Sequence, residues 1–197
     1  AGVNVQFVGH PLVDLAKPGQ PREAFLTERG LVPTAPTVAL LPGSRKNELD
    51  RTVPVMAETI PLIRARVPDA QFVVACAPAM ADSLFAPLVA DDLDADVVLV
   101  RDRTDDVLAA SDVVITASGT ATIQSTLHEK PMVVVYRLSP LTYRLVKPFG
   151  QVDMYAMPNL VAGKRIVPEL IQSDFTAKRT ADEALKRATE RAPGSSA

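Results

Sequence analysis

The chain has 197 residues, 47% of them apolar, and a formal net charge of −2. That length is enough for one domain with a substantial core, and the near-neutral charge gives no electrostatic basis for general nucleic-acid binding. The lone cysteine, Cys76, excludes an internal disulfide framework and fits a reducing compartment; with no apolar run near the roughly 20 residues of a membrane span and no secretory signal, a cytoplasmic location is expected.

In chain order, aliphatic runs fall at Val3–Val8, Thr37–Leu41, Gln71–Cys76, Val97–Val100, Val113–Ile115 and Met132–Val135. They are short, rich in valine and show little alternation, as strands of a parallel sheet buried on both faces do. Helical segments are expected between them, at Pro21–Arg29, Glu48–Arg66, Met80–Val89, Thr104–Ala110 and Thr120–Glu129. The longest places Leu49, Val53, Met56, Ile60 and Ile63 on one side, and Pro54 and Pro61 inside it predict a kink or break. Thr104 reads as an N-cap before the acidic pair Asp105 and Asp106. Beyond Val135 the pattern loosens. A helix is expected at Leu138–Val146, then a loop through Pro148 and Gly150. A short apolar stretch at Asn159–Ala162, a helical turn or two over Val167–Ile171 and a helix at Thr176–Arg191 follow.

This alternation predicts an α/β fold, a doubly wound parallel sheet. The crowded Pro18-Gly19-Gln20-Pro21 is the expected linker. It divides the chain into residues 1–20, the end of an interdomain strand and linker, a domain at 21–191, and a frayed tail at 192–197. The first residue is not Met and the first stretch already reads as strand, so the natural start is expected upstream and the chain reads as a piece of something larger.

In open parallel sheets ligands bind at the carboxyl ends of strands. Two polar clusters fall there. Gly43-Ser44-Arg45 follows the strand Thr37–Leu41 and opens a helix. A glycine lets backbone approach a ligand, and free N–H groups with an arginine bind phosphate oxygens. The stretch is neither a Walker loop nor a Gly-x-Gly-x-x-Gly turn, and a plain turn before a solvated helix end fits it equally well. The second cluster, Thr116 to Thr122, places Ser118, Gly119 and Thr120 at another helix start. It suits phosphate too, although N-capping by Ser118 or Thr120 also accounts for it.

With their neighbours these stretches resemble one family. FVGHPLVD (7–14), LLPGSRKNEL (40–49), ASGTATIQ (117–124), PMVVVYR (131–137) and PNLVAGKRIVPELIQ (158–172) stand in the order and spacing of lipid-A-disaccharide synthases. The resemblance implies a Rossmann-like half of a two-domain, GT-B-type glycosyltransferase, the donor-binding carboxyl-terminal half. The implied reaction is inverting transfer of 2,3-diacylglucosamine from UDP to 2,3-diacylglucosamine 1-phosphate, releasing UDP in lipid A biosynthesis. It implies no metal and no cofactor, peripheral contact with the inner membrane by the full enzyme, and no nucleic-acid partner. The general base and acceptor pocket are expected in the other half, so the fragment alone is expected to be inactive.

Carried over by position, Arg45 and Asn159 are the expected catalytic residues, with Arg45 neutralising the leaving diphosphate. Gly43, Ser44, Ser118, Gly119 and Thr120 would line the diphosphate site. Tyr136 and Arg137 would approach the nucleotide, and Glu169 and Gln172 the donor. Gln124 stands where many members carry Glu, and an amide offers ribose hydroxyls one acceptor oxygen where a carboxylate offers two. Alternatives within the same fold are an N-acetylglucosaminyltransferase or a UDP-sugar 2-epimerase. A non-catalytic nucleotide-binding module is the alternative outside enzymes.

Other residues invite simpler readings. Asp14 and Glu48 are candidate bases by charge alone. His10 is a loop histidine near the expected hinge. His128 complements a helix dipole, and two histidines so separated give no metal-ligand spacing. Cys76 reads as a buried, inert thiol. The segment Tyr136–Lys147, with Arg137, Arg144 and Lys147, reads as a helix with a solvated basic side or as an anionic-bilayer contact.

Overall fold

In the computed structural model, residues 12–90, 96–138 and 154–190 are described. The expected strand at Val3–Val8, His10, nearly all of the expected helix at Leu138–Val146 and the tail lie outside them.

Six parallel strands carry the fold: β1 (Thr37–Leu41), β2 (Gln71–Cys76), β3 (Val97–Arg101), β4 (Val113–Ala117), β5 (Met132–Tyr136) and β6 (Glu169–Ile171). They are ordered β3-β2-β1-β4-β5-β6, the doubly wound order of a Rossmann sheet. Every residue of β1, β2 and β4 is buried. Their alternate side chains feed two separate apolar layers. Val38, Leu40, Phe72, Val74 and Ile115 enter one, and Ala39, Leu41, Val73, Ala75 and Val114 the other. Two-sided burial is the physical reason the strands read as unbroken aliphatic runs.

The helices are α1 (Leu12–Leu15), α2 (Arg22–Thr27), α3 (Lys46–Arg64), α4 (Thr104–Ala110), α5 (Thr120–Leu127), α6 (Met157–Ala162) and α7 (Ala177–Glu190). On the first layer, α3 presents Leu49, Val53, Met56, Ile60 and Ile63 beside Ala181 and Ala184 of α7. On the second, α2 contributes Phe25 and Leu26, and α4 contributes Val107 and Leu108.

Several expectations change. The α3 helix runs unbroken through Pro54 and Pro61, since its buried face outweighs the two backbone bonds the prolines cannot make. The segment Met80–Val89 is not one helix but two 3₁₀ turns, Asp82–Leu84 and Ala86–Leu88, and Pro87 stands at the start of the second. Val167–Ile171 is not helical. It holds β6, which extends the sheet beside β5, with the Pro168 carbonyl accepting from Val134 N–H at 2.9 Å. Pro168 has no N–H for a helix, but its carbonyl serves a strand ladder. Thr104 is not an N-cap. It is the first residue of α4, which starts after Arg103 without a side-chain cap.

The expected linker is fastened to the domain. The buried Asp106 carboxylate accepts from Gly19 N–H (2.6 Å), Gln20 N–H (3.1 Å) and Arg103 Nε (2.7 Å). At the opposite end of the sheet, Arg22 grips Asp112 through two bonds of 2.8 and 2.9 Å.

Candidate functional site

The strand order reverses between β1 and β4, which pair directly, Leu41 beside Thr116. At such a reversal, the loops leaving the two strands part and open a crevice. The loop after β1 carries Gly43, Ser44 and Arg45, and the loop after β4 carries Ser118 and Gly119. Both border a cavity of about 340 Å³ with Thr120, Gln124, Glu48, Thr104 and the Cys76-Ala77-Pro78 exit of β2. That volume is at the small end of cofactor and ligand sites.

Gly43 has φ +121°, a conformation that L side chains rarely adopt. A Cβ built there would also lie 2.8 Å from Glu48 Oε2. Arg45 occupies the N-cap position of α3 in an extended conformation, with its side chain 79% exposed. The hydroxyl of Thr52 lies 2.6 Å from the Pro42 carbonyl and ties the loop down to α3. On the other wall α5 begins after Gly119 with no side-chain cap. Its first residues, Thr120 and Ala121, line the crevice, and no side chain caps the N–H groups there. The hydroxyl of Ser118 donates to the Tyr155 carbonyl (3.2 Å), and Thr120 is the first residue of α5 after the N-cap Gly119, so neither Ser118 nor Thr120 caps α5.

Charge in the pocket is sparse. Arg45 is the cation among the described lining residues, and Glu48 lies beside it, 3.0 Å from Nη1. The Gln124 amide nitrogen is 3.4 Å from both oxygens of Asp105, whose Oδ1 also lies 2.9 Å from His128 Nε2. Because a carboxylate only accepts, the amide nitrogen is the end of Gln124 that faces it. Cys76 lines the pocket but is buried, and burial pushes its thiol up to about 11 against the opposing pull of Arg101. An inert thiol is the result.

The structure thus brings together Gly43, Ser44, Arg45, Ser118, Gly119, Thr120 and Gln124. Tyr136, Arg137, Asn159, Glu169 and Gln172 gather elsewhere, along the β5–β6 edge, and do not line this cavity. Asn159 is fully buried. Its Oδ1 accepts from Ile166 N–H (2.7 Å) and Val167 N–H (2.9 Å), and its Nδ2 donates to the Val167 carbonyl (2.9 Å) and Glu169 Oε1 (2.6 Å). Glu169 also accepts from the N–H groups of Tyr155 (2.7 Å) and Ala156 (3.1 Å), at the start of α6. Arg137 turns to the carbonyls of Phe175 and Gln172, while Gln172 Oε1 accepts from Leu138 N–H at 2.9 Å. The Tyr136 ring sits 6.0 Å from that of Tyr155.

Asp14 is exposed on α1 and does not border the pocket. His128 follows α5 and bonds Asp105. Sequence reasoning missed the lining role of Thr104 and of the β2 exit, and treated Glu48 only as a candidate base. The spacing that places Glu48 three residues into α3, facing back toward Gly43, was the available signal.

Three comparisons fix the kinship. A family model described as lipid-A-disaccharide synthetase matches residues 1–193. The lipid-A-disaccharide synthase of Geobacter sulfurreducens is 44% identical over 183 residues, which is 93% of this chain and 47% of that protein. The chain spans about half the length of the curated relatives it matches. Among solved structures, Escherichia coli ADP-heptose LPS heptosyltransferase II aligns with a TM-score of 0.56 at 12% identity, over 87% of this chain and 52% of that one. A putative UDP-N-acetylglucosamine 2-epimerase from Listeria monocytogenes aligns with a TM-score of 0.57 at 16% identity, over 90% and 42%. The structural likenesses establish the Rossmann-like, GT-B-type fold. The sequence match and the conjunction of both polar loops in one crevice carry the narrower conclusion: the chain belongs to the lipid-A-disaccharide synthetase family.

Proposed function

We propose that this chain is the donor-binding half of a lipid-A-disaccharide synthase. The whole enzyme would transfer 2,3-diacylglucosamine from UDP to 2,3-diacylglucosamine 1-phosphate and release UDP. The observation that carries the reading is the crevice between β1 and β4, with Gly43-Ser44-Arg45 on one wall and the uncapped start of α5 on the other. Preorganised N–H dipoles and one guanidinium suit a diphosphate on which negative charge grows as the glycosidic bond breaks. In this reading Arg45 stabilises the leaving UDP, and Ser44, Ser118, Gly119 and Thr120 hold its oxygens. Gln124 would meet the ribose with the amide oxygen left free by Asp105.

Inversion would follow from direct displacement, with a base in the other half of the enzyme taking the proton of the acceptor hydroxyl. Asn159 has each of its amide groups engaged within the chain, so its part in the reaction would run through the shape of the α6–β6 connection. Arg137, Glu169 and Gln172 would act the same way, and so would Tyr136 through its ring contact with Tyr155.

Among the described residues no helix is long and apolar enough to cross a membrane. Peripheral contact of a cytoplasmic enzyme with the inner membrane is supported by exposed Leu160, Val161 and Ile166 beside exposed Lys164 and Arg165. The test of the donor site is calorimetric titration of UDP into the chain and its Arg45→Ala variant. Micromolar to low-millimolar binding that weakens about tenfold or more in the variant is expected. Equal binding by both would remove Arg45 from the site.

A further inference from the structure

The two donors on the β1 wall are not simply turned toward the crevice. Ser44 N–H donates to Glu48 Oε2 at 3.2 Å, and Arg45 Nη1 donates to Glu48 Oε1 at 3.0 Å. One carboxylate therefore accepts from both groups, an oxygen for each. It lies over Gly43, in space that any side chain at that position would contest, with Oε2 2.8 Å from where a Cβ would stand. Glu48 also lines the cavity, although its side chain is only 24% exposed. The room that glycine provides is thus taken up by an anionic group of this chain.

A capping box accounts for part of this. A glutamate at the third helical position commonly returns to the N-cap N–H. Here it returns one residue farther, to Ser44, and adds the guanidinium of the N-cap residue itself, Arg45. Its two oxygens are arranged as two oxygens of a phosphate would be on the same donors. Ser44 N–H cannot serve a carboxylate and a phosphate at once, and a phosphate brought to that N–H and to Arg45 Nη1 would stand against the like charge of Glu48.

We propose that Glu48 is an internal competitor for the anion subsite, which a diphosphate must displace to reach Ser44 N–H and Arg45. This rests on the reading of the crevice as a nucleoside-diphosphate site. Glu48 χ rotation away from Gly43 would free both donors without any movement of the backbone. The consequence is a built-in ceiling on affinity for the diphosphate and faster release of a diphosphate product.

The experiment titrates UDP, inorganic pyrophosphate and uridine into the chain and its Glu48→Gln and Glu48→Ala variants, after thermal melts establish that each is folded. Glu48→Gln keeps one acceptor oxygen for Ser44 N–H while removing the charge and the second acceptor, the one Arg45 uses, so the helix start survives the change. Both diphosphates should bind it about three- to tenfold more tightly, with uridine unchanged. Equal or weaker diphosphate binding overturns the proposal and makes Glu48 a support for Arg45. If the variant gains for pyrophosphate while UDP binds no better than pyrophosphate, the competitor role stands and the nucleotide reading falls. If no folded protein binds either diphosphate, both fall.

Discussion

The two regions that hold the family's motifs are built in opposite ways. At the β1–β4 crevice, the helix α5 opens uncapped and Arg45 is mostly exposed. At the β5–β6 edge, Asn159 is fully buried, Glu169 accepts three hydrogen bonds and Gln172 holds the exit of β5. The first region leaves the start of α5 without a side-chain cap and holds Ser44 N–H and Arg45 through one rotatable side chain, Glu48. The second directs its hydrogen-bonding capacity inward and fixes where α6 and β6 lie. Residues of one motif set can therefore matter for different reasons, and loss of activity on mutation would not by itself tell them apart.

The comparison breaks or sharpens most clearly at Asn159. Asn159→Ala leaves the Ile166 and Val167 N–H groups and the Glu169 carboxylate short of a partner. It should cost about 2–4 kcal/mol and lower the Tm by roughly 5–12 °C, read by thermal melt. UDP affinity of the remaining folded protein, measured well below the transition, should change less than about threefold. An unaltered Tm with lost UDP binding would place Asn159 with the crevice instead.

Gly43→Ala is next, at about 1–3 kcal/mol, because its backbone is at φ +121° and the new Cβ meets Glu48. Combining it with Glu48→Ala should recover the contact part of that cost and leave the backbone part, as a double-mutant cycle in urea would measure.

Arg45→Ala should show the reverse of Asn159→Ala. Its Tm should stay within about 1–2 °C, since an exposed pair contributes little, while UDP affinity falls as described above. A matching drop in both quantities would erase the distinction between the regions.

The smallest effect concerns Cys76. With its thiol pushed up to about 11, only about one molecule in a thousand carries the thiolate at pH 8. Alkylation by iodoacetamide should be far slower than for a free thiol at pH 8. It should accelerate as pH rises toward 11, because the nucleophilic form is the deprotonated one. Rapid labelling at pH 8 would mean that the β2 exit opens readily.

Most of the sheet was legible in the sequence. Strands buried on both faces must be aliphatic throughout, and the runs at Thr37–Leu41 and Gln71–Cys76 mark β1 and β2 to the residue. The strand β6 was not legible, because three residues at an edge give no period and Pro168 masked the ladder bond its carbonyl makes. Met80–Val89 looked helical by composition, and Pro87 broke it. At the site, the glycine loops were visible because turn chemistry is local. The split between crevice and edge was invisible, since it depends on where side chains separated by ten to forty residues meet. The Glu169–Tyr155 and Ser118–Tyr155 contacts are of that kind.

The first turn of α4 sets three consecutive side chains to three tasks. Thr104 borders the crevice, Asp105 meets Gln124 and His128, and Asp106 grips Gly19 and Gln20. The strand of chain arriving from before residue 19 is thereby moored to the turn that forms one wall of the ligand's chamber. A tug or twist on that mooring line passes through one side chain, the Asp106 carboxylate, and reaches the chamber wall two residues away. The segment before Gly19 and the chamber wall at Thr104 thus share a single helical turn as their point of attachment.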